Sequence, residues 1–284
     1  PVDYAVPIFI LLIVVEMIWA KRRAPEAYEP KDTLTSLLFG FGSSVAGFIT
    51  GSLVLATGMW LYQFRPVTIP FAWWAWIACF IIDDFLYYVF HRTAHRVRWM
   101  WASHVNHQST ALRQTWTGFL ALSFVFRLPL MLIGFHPAMV AFVGGVNLIY
   151  QFWIHTEAIK RFPAWFEYVM NTPSHHRVHH ATNPRYLDSN YAGVFIIWDR
   201  MFGSFIPERD DDPVRYGIVK QLGTFHLLWS VFHEWVGIAR DVVTAPFGHK
   251  LKYMFGPPGW SHDGSRETSD MIRKRWEDQN GGQV

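Results

Sequence analysis

Long apolar runs, separated by short polar turns, dominate the first half of the chain. A helix needs about 20 apolar residues to cross the hydrocarbon core of a bilayer. The second run is long enough to be tilted, or broken near Gly47 and Gly51, and the last two runs could instead form a re-entrant pair. We therefore predict an all-α, polytopic transmembrane helical bundle, with spans at about residues 5–20, 34–62, 69–90, 117–134 and 137–154.

The second half of the chain is more polar, and proline and glycine turns interrupt it. Here we predict a cytosolic helical cap over residues 156–262, which completes a single integral-membrane domain over residues 1–262. The charged C-terminal tail, residues 263–284, is expected to be loosely ordered. Residues 221–243 have the periodicity of an amphipathic helix that lies against the membrane. Its apolar face contains Leu222, Phe225, Leu228, Trp229, Phe232 and Val236.

Composition supports a membrane location, and the basic residues predict an orientation. Hydrophobic residues make up 51% of the 284 residues and far outnumber the charged residues. Cytoplasmic loops carry an excess of lysine and arginine, so the N-terminus is predicted outside and the C-terminus in the cytoplasm. A net charge of +3 without a basic stripe argues against a nucleic-acid partner. The residues that define the basic side are Lys21, Arg22, Arg23, Arg92, Arg96, Arg98, Arg113, Lys160 and Arg161.

A single cysteine and a few charges inside the apolar runs restrict the chemistry. Cys79 alone excludes a disulfide framework and a thiolate metal site, so any metal ion must be held by nitrogen or oxygen. Charges are costly in lipid unless they are paired. We expect Asp83 or Asp84 to bond a metal ligand or a neighbouring span. Arg127 either has a functional role or snorkels towards the membrane surface.

Most of the 14 histidines fall in three groups near the ends of apolar runs. Pairs at spacings of three or four residues share one face of a helix. With the orientation taken from lysine and arginine alone, the groups all fall on the cytoplasmic side. Imidazoles gathered beside a bilayer are satisfied when they bind a metal ion. The predicted ligands are His91, His95, His104, His107, His155, His176, His179 and His180.

Eight nitrogen ligands exceed what one tetrahedral zinc ion accepts, so we predict two borderline metal ions. Imidazole does not select iron over zinc, and a zinc-dependent membrane hydrolase or a non-catalytic metal-binding or transport protein stays open. Metal-bound histidines usually donate their second N–H to a carboxylate or carbonyl. We predict Asp188, Asn190 and Asp199 as such acceptors, and His175 as a residue that orients the ligands beside it.

The histidine motifs resemble those of the fatty acid hydroxylase and sterol desaturase superfamily of integral-membrane di-iron oxygenases. The similarity covers roughly residues 70–262. Two shorter stretches, Thr110-Ala-Leu-Arg-Gln114 and Phe255-Gly-Pro-Pro-Gly-Trp-Ser261, are similar to the alkylglycerol monooxygenase branch. The motifs of the superfamily are His91-Arg-Thr-Ala-His95, His104-Val-Asn-His107, Trp153-Ile-His155-Thr156, Asn171-Thr-Pro-Ser-His-His-Arg-Val-His-His180, Asp188-Ser-Asn-Tyr191 and Trp198-Asp-Arg-Met-Phe-Gly203.

One departure from the superfamily concerns its second motif, which normally reads His-x-x-His-His. In this chain Gln108 follows His107, and a short loop before Thr110 is also missing. Either Gln108 replaces the histidine, through its side-chain oxygen or a water molecule, or a segment has been omitted at this point. Gln108 is accordingly a further candidate ligand.

The resemblance implies two iron ions, O₂ as co-substrate, and hydroxylation of a lipid C–H bond. The substrate class is an ether lipid, a sterol, a fatty acyl chain or a lipid head group, and desaturation of the same substrates is the alternative. Two external electrons are needed, yet the chain contains no nucleotide-binding glycine motif. A separate donor is therefore expected, either a reduced pterin or a ferredoxin or other reductase.

Overall fold

The computed structural model describes residues 2–23, 30–109, 117, 119–220, 222–224 and 226–281. The regular elements of these residues are helices, and the residues contain no β-strand, only two isolated bridges, Met170 to Phe195 and Ala181 to Tyr216. The all-α prediction is thus confirmed for the described part of the chain. The helices are α1 Val2–Arg23, α2 Pro30–Tyr62, α3 Trp73–Arg96, α4 Arg98–Ser109, α5 Leu128–Ile133, α6 Pro137–Trp153, α7 Ala164–Val169, α8 Pro173–His179, α9 Ile197–Met201, α10 Leu227–Thr244, α11 Lys250–Phe255 and α12 Ser269–Gln279.

Two helices are long and apolar enough to cross a membrane, judged by length and composition. They are Gly40–Tyr62, within α2, and Trp73–Arg96, which is α3. Helix α2 runs without a break past Gly47 and Gly51. Shorter apolar helices, Tyr4–Ile18 and Pro137–Trp153, lie in the first and fifth predicted spans. The total number of spans, the cytosolic cap and the orientation stay predictions.

The fourth apolar run is not one continuous helix. A 3-10 turn, Ser123–Arg127, leads directly into the short helix α5. Leu122 enters the turn in the left-handed region with φ 56°, and Gly134 ends α5 with φ 121°. A Cβ atom at Gly134 would lie 2.3 Å from the carbonyl oxygen of Val67, so only glycine fits here. The run therefore folds back against its neighbours before it reaches the length of a span.

Helices α3, α5 and α6 share an apolar core that includes Cys79, Leu130 and Met139. Charged groups inside it are paired. Nε of Arg127 donates to Oδ1 of Asp83 at 2.6 Å, and the Asp83 side chain is fully buried. Arg127 is thus fixed to α3, and the expectation that an aspartate here bonds a neighbouring segment is confirmed.

Helix α10 packs against helix α4 and stabilises its position. Arg98, at the first position of α4, donates to Glu234 and to Asp241, both on α10 and both at 2.6 Å. These bonds, together with the edge contact of Trp99 with Trp235, hold α4 against α10.

Helix α10 begins at Leu227, so Leu222 precedes it, and Phe225 lies outside the described residues. The remaining members of the predicted apolar face, Leu228, Trp229, Phe232 and Val236, are exposed, and their contact with a membrane stays a prediction. The expectation of a loosely ordered tail is wrong for residues 269–279, which form α12. Thr268 caps this helix, and Asp270 pairs with Arg96 at 2.6 Å.

Candidate metal centre

Four buried histidines from three helices form the first cluster, His91, His95, His104 and His179. One ring nitrogen of each lies within 4.8 Å of the corresponding atoms of the others. Nε2 of His91 and Nε2 of His104 are only 3.0 Å apart. His91 and His95 converge because they are one turn apart on the last two turns of α3, as their spacing predicts.

The second cluster contains His107, His155, His176 and His180, again within 4.8 Å of one another. Nε2 of His176 lies 2.7 Å from Nε2 of His155 and 3.0 Å from Nε2 of His180. Nε2 of His155 is also 3.3 Å from Nε2 of His107. The eight predicted ligands therefore divide into two groups of four nitrogen donors.

Two helices contribute to both clusters and so hold them side by side. Helix α4 directs His104 into the first cluster and His107 into the second, with their ring centroids 5.3 Å apart. Helix α8 directs His179 into the first cluster and His176 into the second, and His180, which directly follows the helix, also joins the second, 5.3 Å from His179 between ring centroids. Such close neighbours fit a dinuclear centre better than two independent sites.

Hydrogen bonds on the outer side of the rings assign their tautomers. Nδ1 of His91 donates to the carbonyl oxygen of Tyr191 at 2.7 Å, and Nδ1 of His179 donates to that of Ser189 at 2.9 Å. Nδ1 of His155 donates to the carbonyl oxygen of Gln151 at 2.6 Å. Since a neutral imidazole carries one proton, each of these rings presents an unprotonated Nε2 to its cluster. These three Nε2 lone pairs are therefore available to a cation.

Burial keeps the rings neutral. Loss of solvent lowers the pKa of His104, His176, His179 and His180 well below the usual value, and the neighbouring imidazoles lower it further. Burial lowers the pKa of His155 to about 4. Neutral imidazole is the metal-binding form of histidine, so the donor set fits two borderline metal ions of the iron and zinc type.

Of the three predicted acceptors, only Asp188 bonds an imidazole. Its Oδ1 accepts from Nδ1 of His95 at 3.2 Å. Burial raises the pKa of Asp188, but the bonds to His95 and the charge of Arg96 outweigh it and lower the pKa overall.

The prediction is wrong for Asn190 and Asp199, whose hydrogen bonds hold the backbone instead. The amide of Asn190 donates to the carbonyl oxygens of His175 and Ile206. Asp199 accepts from the backbone N–H groups of Tyr191 and Ala192, both at 2.8 Å, and burial raises its pKa to about 6. Asp199 therefore affects His91 indirectly, because it holds the backbone segment whose Tyr191 carbonyl accepts from the ring of His91.

Backbone shape explains why these residue types occur beside the clusters. Asp188 and Asn190 both adopt the left-handed region with φ 54°, which aspartate and asparagine tolerate better than other residues with a side chain. The two kinks turn the carbonyls of Ser189 and Tyr191 towards His179 and His91. Sequence reasoning missed these acceptors, because a backbone carbonyl is present at every position and leaves no signal.

The two further candidates of the sequence analysis lie in different places. The side-chain amide of Gln108 points into the first cluster, 3.4 Å from Nε2 of both His95 and His104. His175 belongs to neither cluster, and its ring packs edge-on against Phe205 at 5.2 Å. The stretch Thr110–Gln114 lies outside the described residues.

Asp84, the other aspartate expected to bond a ligand or a neighbouring span, accepts four hydrogen bonds. Its Oδ1 accepts from Asn147 of α6 and from the N–H of Val194, and its Oδ2 accepts from Phe195 and from the indole of Trp198. This buried carboxylate therefore joins α3, α6 and the segment that follows Tyr191.

The chain is similar in sequence to known hydroxylases and monooxygenases. The sequence model of the fatty acid hydroxylase family matches residues 76–204. The chain is 38% identical over 280 residues to an alkylglycerol monooxygenase of Xenopus tropicalis, covering 91% of this chain and 59% of that protein. It is 38% identical over 271 residues to the alkylglycerol monooxygenase of Homo sapiens, covering 91% and 60%. A cholesterol 25-hydroxylase-like protein of Danio rerio is 30% identical over 148 residues, covering 46% and 55%. No solved structure matches. The chain spans about three fifths of the length of the alkylglycerol monooxygenases.

Proposed function

The chain belongs to the fatty acid hydroxylase family, and from this premise we propose that it is a membrane-bound di-iron monooxygenase that hydroxylates a C–H bond of a lipid. The observation that carries the proposal is the convergence of eight imidazoles in two adjacent groups of four. The ligands are His91, His95, His104 and His179 for one iron ion, and His107, His155, His176 and His180 for the other.

Iron would supply the activation of O₂, and the protein supplies the geometry and the surroundings. The Nδ1 bonds to Tyr191, Ser189 and Gln151 hold the rings in one orientation and keep each Nε2 free of a proton. Asp188 does the same for His95, and its negative charge makes that imidazole a stronger donor. The metal centre therefore needs little rearrangement when it binds its ions.

The position of the clusters favours a lipid substrate. His91 and His95 end the apolar helix α3, and His155 follows the apolar helix α6 within two residues. An acyl or alkyl chain that lies along these helices reaches the clusters without leaving an apolar environment. We propose an ether lipid as the first substrate class to test, because the relatives over most of the chain are named alkylglycerol monooxygenases. Sterols, fatty acyl chains and lipid head groups are the other classes.

The electrons for the reaction come from a separate donor, either a reduced pterin or a ferredoxin or other reductase. We propose that the clusters face the cytoplasm, with the N-terminus outside, and that the donor approaches from the cytoplasm, because cytoplasmic loops carry an excess of lysine and arginine.

The test is product analysis under ¹⁸O₂. Purified protein in lipid nanodiscs is loaded with Fe²⁺ and incubated with an alkylglycerol, a sterol or a phospholipid and each donor in turn. Hydroxylation adds one labelled oxygen atom to the lipid, whereas desaturation removes two hydrogen atoms and incorporates no label. Loss of the labelled product in His176→Ala, and its retention in His226→Ala, an exposed histidine outside both clusters, support the proposal. Unlabelled, O₂-independent cleavage of the lipid would indicate a hydrolase and overturn it.

A further inference from the structure

Gln108 has the position of a ligand within α4. It follows His104 by four residues, so the two side chains share one face of the helix, as His91 and His95 do on α3. Its neighbour His107 turns into the second cluster. The side chain of Gln108 is 4% exposed. A buried amide needs partners, because an unmade hydrogen bond in the interior is costly.

Those partners are ring nitrogens of the first cluster. The terminal amide lies 3.4 Å from Nε2 of His95, 3.4 Å from Nε2 of His104 and closest, at 2.5 Å, to Nε2 of His179. Among the described residues, the first group thus contains four imidazoles and one amide, and the second contains four imidazoles.

A side-chain amide at this position can interact with the first cluster in two ways. The Nδ1 atoms of His95 and His179 donate to Asp188 and Ser189, so the Nε2 atoms of both rings are acceptors. The NH₂ group of Gln108 can donate to them. A half-turn of the amide exchanges its nitrogen and oxygen, which have nearly the same shape, and then presents a carbonyl oxygen towards the same point.

We propose that Gln108 is a fifth donor to the metal ion of the first cluster, through its amide oxygen, and that it stabilises the metal-free cluster through its NH₂ group. The inference rests on the proposed function, because it assumes that the first cluster holds a metal ion. It makes the two metal sites unequal, with four imidazoles and one amide oxygen in the first and four imidazoles in the second.

The experiment compares Gln108→Leu, which keeps the volume, and Gln108→His, which restores an imidazole, with the wild-type protein. Gln63→Leu changes an exposed glutamine and serves as the control. Metal release to a chelator gives the affinity of each site. Absorption of the cobalt-loaded protein reports coordination number, because four-coordinate Co²⁺ absorbs visible light more strongly than five-coordinate Co²⁺. Neither readout depends on activity.

In Gln108→Leu we expect one of the two metal ions to bind roughly 10- to 100-fold more weakly, a loss typical of a missing metal-supporting group. The absorption of cobalt at that site should rise, because its coordination number falls. Unchanged binding of the other ion shows that the protein is folded. Gln108→His should bind that ion more tightly than the wild type.

Two results overturn the inference in different ways. Two metal ions with unchanged affinities and spectra in Gln108→Leu would exclude Gln108 as a ligand and leave the proposed function intact. A single metal ion in the wild-type protein, with a second gained only in Gln108→His, would mean that the amide blocks the first site, and the dinuclear proposal would fail with it.

Discussion

Asp188 and His95 are joined by a 3.2 Å hydrogen bond from Nδ1 of the imidazole to Oδ1 of the carboxylate, across 93 positions of sequence. This bond fixes the tautomer of His95 and raises its donor strength. We expect Asp188→Ala to weaken metal binding at the first cluster roughly 10- to 100-fold and to leave the second cluster unchanged. Metal release to a chelator measures both. Asp211→Ala, at an exposed aspartate, is the matched control, and equal weakening of both sites in Asp188→Ala would contradict the assignment.

Asp84 supports the centre by holding three segments together. In Asp84→Asn the new NH₂ group faces donors that now lack an acceptor, so we expect a loss of about 2–4 kcal/mol in the free energy of unfolding. The substitution should also disturb the position of His155. Asn147 accepts from the side chain of Gln151, and the backbone carbonyl of Gln151 accepts from the ring of His155. Thermal unfolding in detergent measures the effect. Asp278→Asn, an exposed aspartate, should change little, and a similarly small change in Asp84→Asn would refute the bracing role.

Arg127 and Asp83 form an ion pair in the apolar core, and removal of one partner leaves the other buried and unpaired. Arg127→Leu should cost about 3–5 kcal/mol of stability, whereas the double variant Asp83→Leu/Arg127→Leu should recover most of it. A double-mutant cycle by denaturant unfolding gives the coupling. Arg209→Leu, in an exposed pair with Asp211, should leave the stability nearly unchanged. A double variant as unstable as the single one would contradict the pairing.

Acid should destabilise the metal-free protein between about pH 6.5 and pH 4. Burial lowers the pKa of His155 to about 4, and burial with the charge of Arg200 lowers that of His175 to about 4, whereas both titrate near 6.5 when unfolded. In this window the unfolded chain binds protons that the folded chain does not, so stability falls as the pH falls. Each group contributes about 1.4 kcal/mol per pH unit.

Thermal unfolding of the metal-free protein from pH 7.5 to pH 4.5 measures this dependence. His175→Gln removes one of the buried histidines and should make the profile less steep, whereas His226→Gln, at an exposed position, should not. A profile that is flat in the wild type would contradict the burial of neutral histidines.

The sequence predicted the candidate metal ligands more completely than the residues that surround them. Regular spacing on one helix, as in His91 and His95, is a local signal, and the distribution of lysine and arginine predicted that the groups share one side of the membrane. The division into two clusters was not predictable, because α4 and α8 each contribute histidines to both clusters. The orientation of these helices depends on contacts such as that of Arg98 with Asp241. The pair of Arg127 with Asp83 spans 44 residues, and neither side chain indicates the other.

Metal analysis with Mössbauer spectroscopy of ⁵⁷Fe-enriched, detergent-solubilised protein tests whether the two clusters hold a coupled pair of iron ions. We predict two iron ions per chain, the spectrum of a coupled dinuclear centre, and loss of one ion or both in His104→Ala. Two zinc ions after expression with ample iron, or a single metal ion per chain, would contradict the proposed di-iron centre.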